Sequence, residues 1–140
     1  VNILVTKALT EGKLTVFGGE QWRPLLHVID VANAIAHTIE SDITGIFNLH
    51  YKNFRIIDIA QAIIEKVPSA SIETTPIKFQ DARNYQVSSE KLYKESGFKA
   101  STNLSKGIEE IYNLISNNRI KNVHHNRYSN QNFLEEYGIS

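Results

Sequence analysis

The chain has 140 residues, of which 41% are hydrophobic and 21% charged, ordinary values for a single globular domain. Fifteen basic and fifteen acidic residues give a formal net charge of zero, so no overall field attracts nucleic acid or anionic lipid. The absence of cysteine excludes disulfides, thiolate nucleophiles and cysteine-based metal sites. Since the sequence shows neither a membrane-length apolar run nor a leader-like opening, we expect a soluble, cytoplasmic protein.

The chain contains no methionine and opens on Val1 to Val5, an apolar run with no capping residue before it. This opening has the character of the middle of a helix. A fragment of a longer protein is therefore the interpretation we favour, and removal of an initiator methionine is the alternative.

Patterning predicts a helix and then a strand at the start of the chain. Apolar residues at helical spacing cover Asn2 to Leu9, and Glu11-Gly12 supplies a stop. The alternating, β-branched stretch from Lys13 to Phe17 is typical of a strand, and Gly18-Gly19 ends it.

A short extended piece from Leu25 to Val28 is predicted next, followed by a helix with Asp30 as its N-cap. An apolar stripe with a period of about 3.6 residues indicates that this helix is buried. The stripe consists of Val31, Ala32, Ile35, Ala36 and Ile39. Gly45 to His50 has the pattern of a core strand, so strands and helices alternate as in α/β proteins.

Three more helices and one more strand are predicted after His50. A buried helix is expected around Ile56 to Val67, ended by Pro68, and a Thr-rich edge strand over Ser71 to Phe79. Ser88 or Ser89 caps a short helix that Gly97 ends, and Leu104, Ile108, Ile111 and Ile115 mark the last amphipathic helix. Residues 119–140 have the composition of a polar tail, with Phe133 and Leu134 as anchors.

Two loop positions are candidates for anion binding. The Gly18-Gly19 turn precedes Arg23, and glycine lets backbone N–H groups approach a ligand that a guanidinium can also grip. Arg83 lies in a polar stretch between a strand and a helix, where α/β proteins carry binding groups. The structural alternatives are a plain turn, a solvated arginine and a salt link from Arg83 to Asp81.

The five histidines form no metal-binding motif, since His124 and His125 are adjacent and lack a nearby carboxylate. We expect His27 to pack and hydrogen-bond at the junction between the extended piece and the helix. The tail from Arg119 to Arg127 is locally basic, and we favour a solvated tail over contact with RNA.

Four stretches of the chain follow one another in a specific combination. They are Leu14–Gly19 (LTVFGG), Gln21–Ala32 (QWRPLLHVIDVA), Gly45–Leu49 (GIFNL) and Arg83–Ser88 (RNYQVS), with Lys91 and Gly97-Phe98 after them. Together they resemble the C-terminal half of the NAD-dependent epimerase/dehydratase family, a group of extended short-chain dehydrogenases. The resemblance covers Asn2 to about Ile115.

The resemblance implies an α/β fold, the C-terminal substrate-binding portion of an extended short-chain dehydrogenase, with a few short strands and about four to five helices. This portion would cover residues 1–118, before the tail at 119–140. The Rossmann half that binds NAD or NADP in the complete enzyme is absent, since the chain has neither GxxGxxG nor Tyr-x-x-x-Lys. We therefore expect no catalytic, cofactor-binding or metal-binding residue here, and no cofactor bound to this chain alone.

Carried over by position, Thr15 and Phe17 match the strand whose backbone contacts the nucleotide base. Arg23 matches the arginine that binds the diphosphate, and Arg83 takes the place of the second phosphate arginine. Pro24 and Leu25 depart from the family, in which many members have an aspartate and an aromatic residue at these positions.

The implied function is that of the substrate-binding portion of an NAD(P)-dependent nucleotide-sugar epimerase, dehydratase or reductase. The implied partners are the nucleotide sugar and the missing Rossmann half, in cis or in trans, with a homodimer left open and neither nucleic acid nor membrane expected. The chain alone is expected to be inactive. The alternative is a non-catalytic binding or interaction module that keeps part of the fold.

Overall fold

The computed structural model of the protein describes residues 1–76 and 83–138. These residues form short strands and helices in alternation, so the protein is α/β as predicted. In chain order the elements are α1 (Asn2–Glu11), β1 (Lys13–Phe17), β2 (Trp22–Leu25), α2 (Val28–Ile39), β3 (Lys52–Arg55), α3 (Ile56–Lys66), β4 (Ser71–Thr75), α4 (Glu90–Ser96), α5 (Leu104–Ser116), a 3₁₀ turn (Asn126–Tyr128) and α6 (Asn130–Glu136).

The described strands form two separate two-stranded sheets. β1 and β4 run parallel, with Lys13–Phe17 aligned on Ser71–Thr75. β2 and β3 run antiparallel, with Trp22 opposite Arg55. The end of the strand predicted over Ser71 to Phe79, residues 77–79, lies outside the described residues, as does Asp81.

The core lies between β1 and three helices, α1, α3 and α5. Leu14 and Val16 are fully buried and alternate with more exposed neighbours along β1, as expected for a strand with one face on a core. The helices contribute Val5, Ala8, Ile59, Ala60, Ile63 and Ile108. Each valine, leucine or isoleucine side chain among them contributes roughly 1.5–3 kcal/mol when it is fully removed from water.

Several helix boundaries are confirmed. Gly12 ends α1 and Gly97 ends α4, each in the left-handed region, with φ of 66° and 75°, where glycine has no Cβ to clash. Ser89 is the N-cap residue of α4 but makes no side-chain capping bond, whereas the Ser88 hydroxyl accepts the N–H of Glu90 at 3.3 Å. The predicted stripe of α5 places Ile108 in the core. Helix α6 was not predicted: the Ser129 side chain caps it, within the segment expected to be a polar tail.

Two predictions near α2 are wrong in their boundaries. The extended piece is Trp22–Leu25 and not Leu25 to Val28, because pairing with β3 selects the earlier residues and Val28 already belongs to α2. The N-cap of α2 is His27 and not Asp30, because the His27 side chain accepts the N–H of Ile29.

Two predictions of burial are also wrong. The apolar stripe of α2 is exposed in the described structure, because the helix packs on the rest of the protein through its opposite side. Gly45 to His50 forms no strand, because no other described strand lies beside it to pair with it.

Among the helices in the described ranges, none has both the length and the apolar character that crossing a membrane requires.

Candidate functional site

Strand β2 brings Arg23 next to the segment that carries Arg83. The backbone N–H of Tyr85 donates to the carbonyl oxygen of Trp22 at 3.4 Å, and the side-chain oxygen of Asn84 accepts the N–H of Trp22 at 3.0 Å. These bonds lay residues 83–85 along β2. The two arginines that the resemblance assigned to phosphate binding are therefore neighbours in space.

The guanidinium of Arg23 is held in place by its surroundings. Its Nη1 donates to the carbonyl oxygen of Trp22 at 2.7 Å and also to the carbonyl oxygen of Arg83. The central carbon of the guanidinium lies 5.6 Å from the centre of the Tyr85 ring, a cation–π arrangement. A positioned, planar group with several N–H donors is suited to an anionic ligand.

The backbone N–H groups of Thr15 and Phe17 lie on the edge of the β1–β4 sheet that faces away from β4. At one end of β1 the N–H of Gly18 donates to the carbonyl oxygen of Thr75 at 2.9 Å. The backbone N–H and C=O groups of the even-numbered residues of β1 therefore point toward β4. Because backbone groups alternate in direction along a strand, the N–H groups of Thr15 and Phe17 point the other way. No other described strand covers that edge.

The Gly18-Gly19 turn uses its N–H groups within the protein. The N–H of Gly19 donates to the side-chain oxygen of Gln21 at 2.8 Å and to the carbonyl oxygen of Phe17 at 3.0 Å. Gly19 has a φ of 101°, and a Cβ there would lie 3.2 Å from the Cβ of Ile57. The plain-turn interpretation therefore accounts for both glycines.

The contacts of the Gly18-Gly19 turn also show whether it could bind a dinucleotide cofactor. A dinucleotide site presents N–H groups from a glycine-rich loop at the start of a helix. Gly18-Gly19 instead joins two strands, and the N–H groups of both residues already have acceptors in the protein. The Gly18-Gly19 turn does not fit a dinucleotide, and we assign no step to one within this chain.

Asp30 is a buried carboxylate that sequence reasoning placed incorrectly as a cap. It is 1% exposed, and its oxygens accept the N–H groups of Ser101 at 3.3 Å and Thr102 at 2.9 Å. His27, three residues earlier, lies 3.1 Å from the Glu110 carboxylate through Nε2. The predicted junction role of His27 is confirmed, and Asp30 ties α2 to the segment that precedes α5.

A polar cluster that the sequence did not reveal holds the chain after Arg83. Asn53 exchanges two hydrogen bonds with the backbone of Val87, at 2.9 and 3.0 Å. His50 Nδ1 lies 2.6 Å from Ser89 Oγ, which also accepts the backbone N–H of His50 at 2.8 Å. Burial lowers the pKa of His50 below its ordinary value. In the sequence, the signal for this cluster was a histidine and an asparagine three residues apart, His50 and Asn53.

A cavity of about 420 Å³ lies between the start of α1, the start of α2 and α5, and His27, Tyr51 and Glu110 are in its lining. None of the four predicted site residues lines this cavity. The described residues contain no group of three or more His, Asp or Glu side chains that could hold a metal ion. The candidate site remains the one that the resemblance assigns, the edge of β1 at Thr15 and Phe17 with Arg23 and Arg83, and of these the structure joins Arg23 to Arg83.

Comparisons with known proteins locate this architecture among solved structures. The fold is similar to that of an NAD-dependent NDP-hexosamine 5,6-dehydratase involved in tunicamycin biosynthesis, with a TM-score of 0.72 and 15% identity over 86% of this chain and 41% of that one. It is also similar to that of dTDP-glucose 4,6-dehydratase from Bacillus anthracis, solved with NAD, with a TM-score of 0.69 and 23% identity over 83% of this chain and 38% of that one.

L-Threonine dehydrogenase from Phytophthora infestans has the same fold, with a TM-score of 0.72 and 16% identity over 82% of this chain and 40% of that one. No protein-family model and no curated protein matches the sequence. The chain spans only 37–43% of the length of the solved structures compared.

These likenesses confirm the predicted fold. The protein has the architecture of the C-terminal portion of extended short-chain dehydrogenases, the fold of NAD-dependent epimerases and dehydratases. L-Threonine dehydrogenases share it, so the fold alone does not select the substrate.

Proposed function

We propose that this chain is the substrate-binding portion of an NAD(P)-dependent enzyme that acts on a nucleotide sugar. The observation that carries the proposal is the bond from the Arg23 guanidinium to the Arg83 carbonyl oxygen, which joins two arginines from distant parts of the chain. In this role the arginines neutralise the diphosphate, and the backbone N–H groups of Thr15 and Phe17, on the edge of β1 away from β4, receive the base.

The paired arginines are our reason for favouring a nucleotide sugar over a small amino acid, the two kinds of substrate named for the neighbours. A diphosphate carries its charge on several oxygens, and forked guanidinium groups bind such oxygens in pairs. Groups of this kind position a substrate without taking part in bond making. The cofactor and the catalytic residues would belong to a second, nucleotide-binding half, so we expect no turnover by the 140 residues alone.

Substitution of Arg23 tests the assignment in the complete enzyme. We expect Arg23→Ala to raise KM for the nucleotide sugar roughly tenfold or more and to change kcat much less. The reason is that the lost contact binds the substrate equally in the ground state and in the transition state. Arg127→Ala is the matched control, since Arg127 also lies over a tyrosine ring, that of Tyr128 at 5.3 Å, but in the tail. An unchanged KM in Arg23→Ala would remove Arg23 from the site.

The alternative, a non-catalytic binding module, makes a different prediction for the isolated chain. A self-sufficient module binds a nucleotide diphosphate sugar unaided, whereas a portion of an enzyme binds it feebly without its other half. Calorimetric titration of the 140-residue chain and of the complete protein with the same UDP-sugar separates the two functions.

A further inference from the structure

Residues 83–89, the Arg83 segment, reach α4 without forming a helix or a strand. Residues 83–86 are exposed, whereas Val87 and Ser89 are half-buried. A segment without secondary structure takes its position from bonds to other parts of the protein. The direction in which Arg83 is presented therefore depends on what holds the residues that follow it.

Backbone pairing between β2 and the Arg83 segment lacks a donor at Pro24. Trp22 turns both its N–H and its carbonyl oxygen toward residues 84 and 85. Backbone groups alternate in direction along a strand, so Pro24 turns the same way, but proline has no N–H to donate. Beyond Tyr85 the segment is held by side chains.

Asn53 supplies the first of these side-chain bonds from β3, where it lies opposite Pro24. Its Oδ1 accepts the N–H of Val87 at 3.0 Å, and its Nδ2 donates to the carbonyl oxygen of Val87 at 2.9 Å. An amide group that bonds both backbone groups of one residue does the work of two strand-pairing bonds. Val87 is thus fixed to β3 four residues after Arg83.

His50 completes the attachment, and it does so in one protonation state. Asn53 Nδ2 lies 3.3 Å from His50 Nε2, and because an amide nitrogen only donates, Nε2 has to accept. The proton of the neutral ring is then on Nδ1, which donates to Ser89 Oγ at 2.6 Å. A second proton on the ring would set an N–H of Nε2 against an N–H of Asn53. The attachment therefore requires a neutral imidazole.

We propose that Asn53 and His50 are positioning residues for substrate binding, which hold Arg83 where it meets the phosphate groups only while His50 is neutral. The inference rests on the proposed function, since it takes Arg83 as a group that binds the diphosphate. Protonation of His50 then weakens the binding of the nucleotide sugar. The diphosphate of a nucleotide sugar is a diester, and its own charge does not change near neutral pH.

The surroundings of His50 agree with a neutral ring. Burial lowers the pKa of His50, which favours the uncharged form. His50 and Ser89 line a cavity of about 310 Å³, whose other titratable lining residues are Tyr51, Glu90, Tyr93 and Lys99. Lys94 lies 2.7 Å from the Glu90 carboxylate and lowers the pKa of that group, so Glu90 keeps its charge between pH 5.5 and pH 7.5.

Hydrogen exchange and steady-state kinetics of the complete protein test the proposal together. We expect Asn53→Ala to speed exchange of the peptide that contains Val87 roughly tenfold or more, read by mass spectrometry without substrate. The same variant should raise KM for a UDP-sugar roughly fivefold and change kcat little, because Arg83 is no longer held in position. Asn126→Ala should change neither value. It is the matched control, since Asn126 Nδ2 donates to the Glu136 carboxylate at 3.0 Å in the tail.

The pH dependence of KM tests the part of His50. We expect KM of the unsubstituted protein to rise between pH 7.5 and pH 5.5, and His50→Asn to reduce that rise. An asparagine at this position keeps an N–H for Ser89 but does not titrate. A purely structural role would not make KM depend on pH through this residue. Ser89→Ala, which removes the other end of the attachment, replaces Asn53→Ala should that variant fail to fold.

The outcomes separate this inference from the proposed function. Unchanged exchange at Val87 in Asn53→Ala overturns the inference, as does an unchanged KM in that variant when Arg83→Ala raises KM. An equal rise in KM at acid pH in His50→Asn and in the unsubstituted protein removes His50 from it. An unchanged KM in Arg83→Ala overturns the proposed function instead, and faster exchange in Asn53→Ala then still supports the attachment of the segment.

Discussion

The guanidinium group of Arg23 has two roles, one structural and one electrostatic. It holds the backbone of residue 83 by a hydrogen bond, and it presents positive charge where residues 83–85 meet β2. Lysine could retain the charge but not the planar set of donors, so the two residues are not equivalent at this position. The side chain that we assign to the diphosphate is thus also one that positions its partner arginine.

His50 makes the stability of the protein depend on pH. Burial lowers the pKa of this imidazole, so the unfolded chain binds the proton more readily than the folded chain does. The contribution is fully present above the ordinary histidine value of about 6.5 and is lost as the pH falls from there to the folded pKa. The loss loosens a residue that contacts Ser89 and Asn53.

We expect the free energy of unfolding to fall between pH 7.5 and pH 5.5, and His50→Asn to make that fall smaller because the titrating group is gone. Urea denaturation at both pH values measures the difference. His124→Asn, in the exposed part of the tail, is the control and should leave the pH dependence as it is. An identical pH dependence in His50→Asn and in the unsubstituted protein would contradict the assignment.

Helices α2 and α3 show how one sequence pattern leads to two outcomes. Both carry isoleucines at helical spacing and both contain an acidic residue in the first turn. α3 lies against β1 and α5 and buries Ile63 completely, whereas α2 leaves Ile35 more than half exposed. The difference lies in the contacts of each helix: Asp30 bonds the polar side of α2 to Ser101 and Thr102, whereas α3 packs its isoleucines into the apolar core.

The same substitution on the two helices should therefore have very different costs in the 140-residue chain. Ile63→Ala removes buried methyl groups and leaves a cavity, so we expect a loss of about 2–5 kcal/mol in the free energy of unfolding. Ile35→Ala should change it by about 0.5 kcal/mol or less. Chemical denaturation of the two variants measures both values, and equal costs would mean that α2 is buried after all.

Elements that depend on local signals could be predicted, and those that depend on distant partners could not. α1, β1 and α3 follow from apolar periods and from Gly12 and Pro68 at their ends. β2 and β3 are set by their mutual pairing, which joins residues about 30 positions apart, so no local pattern identified their limits. The capping prediction at Asp30 was wrong for the same reason, since its partners are Ser101 and Thr102.

At the scale of the whole molecule, the proposed site draws on three separate parts of the chain, two of which, β2 and the chain before α4, contact each other. β1 supplies an open sheet edge, β2 supplies Arg23, and the chain before α4 supplies Arg83. Helix α2 adds an exposed apolar face, with Ile35 and Ile39 55% and 78% exposed in the described structure.

Periodicity, end signals and motif order in the amino-acid chain were enough to establish the α/β class, the limits of α1 and β1, and the resemblance that singled out Thr15, Phe17, Arg23 and Arg83. The elements rest on residues close together in the chain, and the resemblance rests on the order of short local motifs along it. Three-dimensional packing was needed to bring Arg23 to the backbone of Arg83, to bury Asp30 and to turn the apolar side of α2 outward. Such features are properties of contacts between distant segments, and a one-dimensional pattern does not contain them.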